Sequence, residues 1–328
     1  MNYDQLFSKF QNLRILVIGD IMVDAYVIGK VNRISPEAPV PIVSLDFEEQ
    51  RIGGAGNVAI NLLALGAQPI VCSVIGDDDH GIILKNILIE KGISTQGVIV
   101  SKERKTTVKT RVIANSQQLL RIDSETTNPI NEKEVNDLFS QIKTLISAGI
   151  DGIIFEDYNK GVLTESLIHQ VIVLAKQNNI PTTVDPKRDN FLTYQGVTLF
   201  KPNLKELKEG LNLSFNFKNE KEQFELAVKL LEKSLNNSIS FVTLSEFGVF
   251  IKDRNQQHYI AAHLRNIADV SGAGDTVIAV ATLCLVAGAS IKDIASISNL
   301  AGGLVCEKSG VVSISKEELI KECRSLTS

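Results

Sequence analysis

The sequence predicts an α/β fold: a mostly parallel sheet with helices on both faces, plus a small second sheet. Three observations carry this. From about residue 131 onward, short β-branched runs alternate with amphipathic helical segments, the pattern of a parallel sheet covered on both sides. Leu13–Gly19 is a short apolar run, as expected of a strand buried on both faces. Within residues 97–124, Thr106–Val112 and Gln118–Ile122 alternate instead, which predicts antiparallel, half-exposed strands. A chain of 328 residues, 44% of them hydrophobic, can bury one large core.

Element by element, the first strand is followed by residues 21–47, where Pro36, Pro39 and Pro41 suggest loop plus edge strand. Gly56–Gly66 reads as a helix with Gly66 as its C-cap. Ile70–Ile75 reads as a strand, and His80–Lys91 as a helix stopped by Gly92. Residues 22–28 and 40–45 join the alternating segments in the small sheet. Further helices are expected over 131–148, 164–178, 203–210, 219–234, 273–287, 290–308 and 315–325. Further strands are expected over 151–156, 181–185, 197–200, 239–244, 248–252 and 257–261.

Composition excludes several classes. The net charge is −4, with lysines and arginines scattered among acids, so there is no basic stripe for nucleic acid. Cys72, Cys284, Cys306 and Cys323 are far apart, and the first three sit in apolar runs, which predicts buried free thiols. His80, His169, His258 and His263 show no metal-ligand spacing. The N-terminus lacks signal-peptide character, and no apolar run reaches the ~20 residues of a membrane span. A reduced, cytoplasmic setting is expected.

The most informative segment is Asp269-Val-Ser-Gly-Ala-Gly-Asp275, followed by apolar sequence from Thr276 to Ala287. A buried helix that opens on Gly272-Ala273-Gly274 directs unpaired N–H groups and a positive dipole end at whatever precedes it. Asp275 falls in its first turn. Anion-holding amides beside a carboxylate that can take a proton point to phosphoryl transfer. There is no Walker A lysine and no GxSxG elbow.

A second glycine cluster, Arg51-Ile-Gly-Gly-Ala-Gly-Asn-Val-Ala59, satisfies the GxGxxA dinucleotide pattern over 54–59. That pattern should follow the first strand directly, and here the strand ends far upstream at Gly19. Close approach of a hydroxyl-bearing ligand, with Asn57 as donor and acceptor, is one other reading; tight helix–strand packing is another. Asp24 lies just beyond the first strand, either as acceptor for two sugar hydroxyls or as a turn aspartate. Lys160, Lys187 and Arg188 follow strands at the same rim, as phosphate ligands or solvated charges. Asn203 and Glu206 form a capping-box pattern that needs no function. Thr243–Gly248 reads as strand and turn.

These segments, in this order, resemble the ribokinase-like (phosphofructokinase-B) family of sugar kinases over nearly the whole chain. The two signatures are matched by Gly53–Ala59 and Asp269–Asp275, with Ser271 where threonine is usual. The resemblance implies one ribokinase-like domain over 1–328, a three-layer α/β/α sandwich with a β-lid from about 22–47 and 97–124. Within the family, Asn32–Pro41, Leu119–Asp123, Asp157–Gly161, Asp185–Lys187 and Val242–Glu246 resemble the kinase half of the bacterial ADP-heptose synthesis enzyme.

That implies an ATP-dependent kinase acting at O1 of D-glycero-β-D-manno-heptose 7-phosphate, for the lipopolysaccharide core. Another sugar phosphate or a nucleoside as acceptor, or a non-catalytic sugar-phosphate sensor, are the alternatives. ATP and Mg²⁺ are implied, with a monovalent cation as an option. By the same resemblance Asp275 is the base, and the amides of Gly272, Ala273 and Gly274 hold the transferring phosphate. Asp24, Gly54 and Asn57 meet the sugar. Arg111 and Lys187, then Arg33 and Lys160, take its phosphate. Asn203 and Glu206 lie near Mg²⁺ and the ATP phosphates, and Ser245, Gly248 and Asn299 line the nucleotide. No HxGH-type nucleotidyltransferase motif is present. A stand-alone kinase is therefore expected, homodimeric through the lid, with a separate nucleotidyltransferase downstream and no nucleic-acid or membrane partner.

Overall fold

The computed structural model describes residues 2–115, 117–263 and 265–325; Ser116, inside the expected lid range, lies outside them. The chain opens with α1 (Tyr3–Lys9), β1 (Arg14–Gly19), β2 (Ile21–Ile34), β3 (Pro41–Gly54), α2 (Ala55–Ala64), β4 (Gln68–Gly76) and α3 (Asp79–Glu90). Then come β5 (Ser94–Ser101), β6 (Thr107–Ala114), β7 (Gln117–Ser124), α4 (Glu132–Ser147), β8 (Gly152–Glu156), α5 (Glu165–Gln177), β9 (Thr182–Asp185) and β10 (Leu199–Phe200). The rest is α6 (Leu204–Gly210), α7 (Lys221–Leu235), β11 (Ile239–Thr243), β12 (Val249–Lys252), β13 (Gln257–Ile260), α8 (Ala273–Val286), α9 (Ile291–Cys306) and α10 (Lys316–Ser325).

The main sheet has nine strands in the order β13-β12-β11-β10-β9-β8-β1-β4-β5. It is parallel from β11 to β5, and β12 alone is reversed, pairing antiparallel with both β11 and β13. Successive residues of β1 feed opposite cores: Ile15 and Val17 pack with α2, α8 and α9, whereas Leu16 and Ile18 pack with α4, α5 and α7. This is the two-sided burial that a continuous apolar run requires. The chain winds outward from β1 in both directions, so the crevice between the carboxyl ends of β1 and β8 is the topological switch point, where such sheets bind ligands.

The second sheet has the order β3-β2-β6-β7. Two expectations are corrected here. Residues 21–47 are more than loop plus edge strand: β3 is an edge of this sheet, but β2 lies inside it, and the two are 14-residue partners that pair antiparallel from Ile21↔Gly54 to Ile34↔Pro41. Pro36 and Pro39 fall in the connection, and Pro41 takes the first position of β3, so the prolines bound the strands rather than interrupt them. Residues 97–101 do not join the lid; they belong to β5, which pairs parallel with β4 at the edge of the main sheet. An edge strand is half exposed, which accounts for its mixed composition. Helix α1 was not expected; it is seven residues long and buries Leu6 and Phe7.

Candidate active site

The site is assembled at the switch point. The register Gly19↔Glu156 sets Asp20 beside the turn that follows β8. The buried Asp20 carboxylate accepts the N–H groups of Tyr158 (2.9 Å), Lys160 (3.1 Å) and Val162 (3.1 Å). Burial, then the nearby Asp157, push Asp20 up to about 6, against those three bonds. The turn is thereby fixed, and Tyr158 with it.

Two helix starts converge on Tyr158. Gly54, with φ +61°, precedes α2; a Cβ there would lie 2.3 Å from the Asp20 carbonyl oxygen. Gly272, with φ +78°, precedes α8; a Cβ there would approach the Asn57 amide nitrogen to 3.0 Å. The left-handed φ favours glycine at both points, and at Gly54 the Asp20 backbone also leaves no room for a Cβ. The close approach lets Asn57 donate to Asp275 Oδ2 at 2.6 Å, while the Tyr158 hydroxyl donates to Oδ1 at 2.8 Å. Burial raises Asp275 above the ordinary aspartate value, and the Asn57 bond works against it. Behind them, the Asn61 side-chain oxygen accepts from Thr276 Oγ1 and from the Ile314 N–H, locking α2 to α8.

Among the described residues, the Gly272 and Gly274 N–H groups have no acceptor. The Ala273 N–H donates to the Val270 carbonyl at 3.3 Å. The expected triad of free amides is therefore a pair, because the left-handed Gly272 closes a tight turn that uses the middle one.

Beside Asp275 lies a carboxylate cluster. Ligand oxygens of Glu156, Asp185 and Asp275 fall within 4.8 Å of one another, all buried. Both Glu156 oxygens lack a hydrogen-bond partner. Burial, then Asp185 and Asp275, raise Glu156 well above the ordinary glutamate value. Burial alone would also raise Asp185, but Lys187 and Lys201 outweigh it and hold it below the usual value. Lys201 is 2.8 Å and Lys187 3.6 Å from Asp185, and Lys187 is 2.8 Å from Glu206. Asn203 and Glu206 form a reciprocal capping box at the start of α6. Unpartnered carboxylate oxygens in a group suit a hard divalent cation, which takes oxygen ligands.

A cavity of about 160 Å³ opens above Asp275. It is lined by Asp24, Gly54, Asn57, Arg111, Gly272 and Asp275 together, joined by Lys109 and Tyr158. Arg111 reaches Asp24 at 2.5 Å. Three expected phosphate ligands lie elsewhere. Lys187 is committed to Glu206 and Asp185. Lys160 pairs with Glu125 at 2.7 Å. Arg33 is exposed near the tip of the β2–β3 hairpin, opposite Ile42. The expected nucleotide residues form a separate group. Thr243 bridges Asn203, Gly248 donates its N–H to the Ser245 carbonyl, and the Asn299 amide donates to the Ala261 carbonyl after β13. Ser245 also lines a wider groove of about 590 Å³ with Lys205 and Lys208.

Tyr158, Glu156, Lys201 and Lys109 were not singled out from the sequence. Glu156 had a usable signal, a carboxylate as the last residue of a buried parallel strand. Lys109 had another, since it stands two residues before Arg111 in an alternating strand and so shares its face.

The sequence profile of the pfkB family carbohydrate kinases matches residues 12–318. The chain is 38% identical over 319 residues to the bifunctional protein HldE of Syntrophotalea carbinolica, and 39% over 325 residues to that of Geobacter metallireducens. Each alignment covers 97% of this chain but 64% of the relative, so the chain spans less than two thirds of their length. Among solved structures, phosphofructokinase-2 from Escherichia coli superposes with a TM-score of 0.79 at 19% identity, over 97% of this chain and 100% of that one. Arabidopsis thaliana ribokinase, complexed with ribose and ATP, superposes with a TM-score of 0.71 at 17% identity, over 95% and 99%. At these identities the likeness concerns the fold, which is ribokinase-like.

Proposed function

Because this chain belongs to the pfkB family of carbohydrate kinases, ATP-dependent enzymes, we propose that its acceptor is D-glycero-β-D-manno-heptose 7-phosphate, phosphorylated at O1 on the way to ADP-heptose. The observation that carries the chemistry is Asp275. It is buried, aligned on both oxygens by Asn57 and Tyr158, and set beside the free Gly272 and Gly274 amides below the cavity. Asp24 and Asn57 orient the sugar, and Asp275 takes the proton from the attacking hydroxyl. The glycine amides and the α8 dipole hold the transferring phosphoryl group. The lid sheet covers the cavity and keeps water from competing. Glu156 and Asp185 would hold Mg²⁺, which neutralises phosphate charge when bound.

The heptose assignment rests on the Arg33–Pro41 segment and on the kinship with HldE. Exposed Leu45, Phe47, Leu120 and Ile122 on the lid support a homodimer formed there. Four buried free cysteines support a reducing, cytoplasmic setting. Among the described residues no helix is long and apolar enough to cross a membrane. The test is an ADP-release screen over sugar phosphates that includes both heptose 7-phosphate anomers. The β-anomer should give the highest kcat/KM. Turnover of it no better than of fructose phosphates removes the heptose assignment and leaves a kinase.

A further inference from the structure

The inner face of the lid has one unspent charge. Cross-strand register puts Arg51, Asp24, Lys109 and Asp123 in one row, and Glu49, Tyr26, Arg111 and Arg121 in the next. Within these rows Arg51 pairs with Glu49 at 2.6 Å, Arg121 with Asp123 at 2.8 Å, and Arg111 with Asp24 at 2.5 Å. Lys109 forms no ion pair among the described residues, although it lines the cavity. Its ammonium stands over the Tyr158 ring, 5.3 Å from the centroid. The other basic side chains near that ring or turn are already matched, Lys187 by Glu206 and Asp185 and Lys160 by Glu125.

We propose that Lys109 binds the phosphate that the acceptor already carries and so selects phosphorylated over unphosphorylated sugars. This rests on the reading of the protein as a sugar-phosphate kinase and names the residue that reading lacks. Tyr158 sets the geometry: its hydroxyl holds Asp275, where the reacting hydroxyl goes, and its face carries Lys109. The acceptor's phosphate therefore lies at the end of the sugar remote from the new bond. Burial, then Lys160, lower the Lys109 pKa, so the site disfavours its own cation until an anion arrives. A phosphate dianion offsets both effects, and an ammonium suits it as a point charge.

The test compares the wild type with Lys109→Met and Lys109→Arg, using sugar phosphates and their parent sugars as acceptors. Lys109→Met should raise KM for the phosphorylated acceptor by about 10–100-fold. Its KM for ATP and for the parent sugar should stay within about twofold, and Lys109→Arg should recover most of the loss, because only the charge contact is changed. Circular dichroism and melting temperature confirm that each variant folds. An unchanged KM for the sugar phosphate in Lys109→Met overturns the role of Lys109 and leaves the kinase reading intact. A wild type that prefers parent sugars, or accepts no phosphorylated sugar, overturns both. A wild type that prefers another sugar phosphate removes the heptose assignment, and Lys109 then stands or falls by the variant's KM for that compound.

Discussion

The rim of the main sheet and the inner face of the lid are unbalanced in opposite directions. At the rim, three buried carboxylates crowd within 4.8 Å and are answered by Lys201 and Lys187. At the lid, charges are matched pair by pair until Lys109 is left over. The rim lacks a cation and the lid lacks an anion. A metal-bound nucleotide on one side and a phosphorylated acceptor on the other would complete both. The two regions also differ in what holds them. Glu156, Asp185 and Asp275 sit on β8, β9 and α8 of the rigid core, whereas Lys109 and Arg111 sit on an appended four-stranded sheet. On the proposed roles, chemistry falls where geometry is most constrained, and acceptor selection where one face can vary without disturbing the core.

The strongest way to break this division is at Asp275. Asp275→Asn keeps the shape and the Tyr158 contact but removes the proposed base, and kcat should fall about 10²–10⁴-fold. KM for ATP should change little. Because Asp275 is raised above the ordinary value of 3.8, its base form is lost as pH falls through that raised value. The wild-type pH–rate profile should therefore show a one-proton acid limb above pH 3.8, absent from the variant's residual activity. A variant within threefold of wild-type kcat would show that the proton goes elsewhere.

Glu156→Gln should separate activity from stability at the rim. Removing a buried, unpartnered carboxyl beside two others relieves repulsion, so the melting temperature should rise. If Glu156 serves the cation, the Mg²⁺ concentration for half-maximal rate should also rise, by about 10–100-fold. A stabilised variant with an unaltered Mg²⁺ titration would remove Glu156 from the metal site.

Arg111→Met tests the lid in the opposite sense from Lys109. It leaves the Asp24 carboxylate, 8% exposed, without its partner. Loss of a partner from a largely buried pair costs about 2–5 kcal/mol, and the lower end is expected because Arg111 is partly solvated. Denaturant titration should show that loss for Arg111→Met and none for Lys109→Met. Equal stability of the two variants would erase the distinction between a spent and an unspent charge.

How far this was readable in the sequence depends on whether a residue's role is local. Gly272, Asp275, Gly54 and Asn57 belong to motifs whose helix starts are encoded nearby, and the structure brings all four to one cavity. The two long lid strands were obscured because prolines at 36, 39 and 41 look like breaks until the hairpin places them at its tip. Lys187 and Lys160 looked as eligible for phosphate as any lysine at a strand end. Nothing local reveals that Glu206, in the capping box of α6, reaches Lys187, or that Glu125 folds back onto Lys160. Pairing across the fold decides which charges are free, and a single sequence does not encode it by spacing.

The smallest expected effect lies on the rim side away from the lid, at Asn203, the cap of α6. Its side chain accepts the Glu206 N–H, and the Glu206 carboxylate accepts the Asn203 N–H in return. Asn203→Ala should cost about 1 kcal/mol through the lost cap. Glu206 also binds Lys187, which in turn holds Asp185 down, so a frayed α6 should loosen the rim without touching the lid. KM for ATP should rise severalfold, while KM for the sugar phosphate stays level. If Asn203→Ala changes only the denaturation midpoint, the capping box is purely structural and the rim ends at Asp185. A parallel rise in the acceptor KM would mean that rim and lid are coupled and that the division of labour between them does not hold.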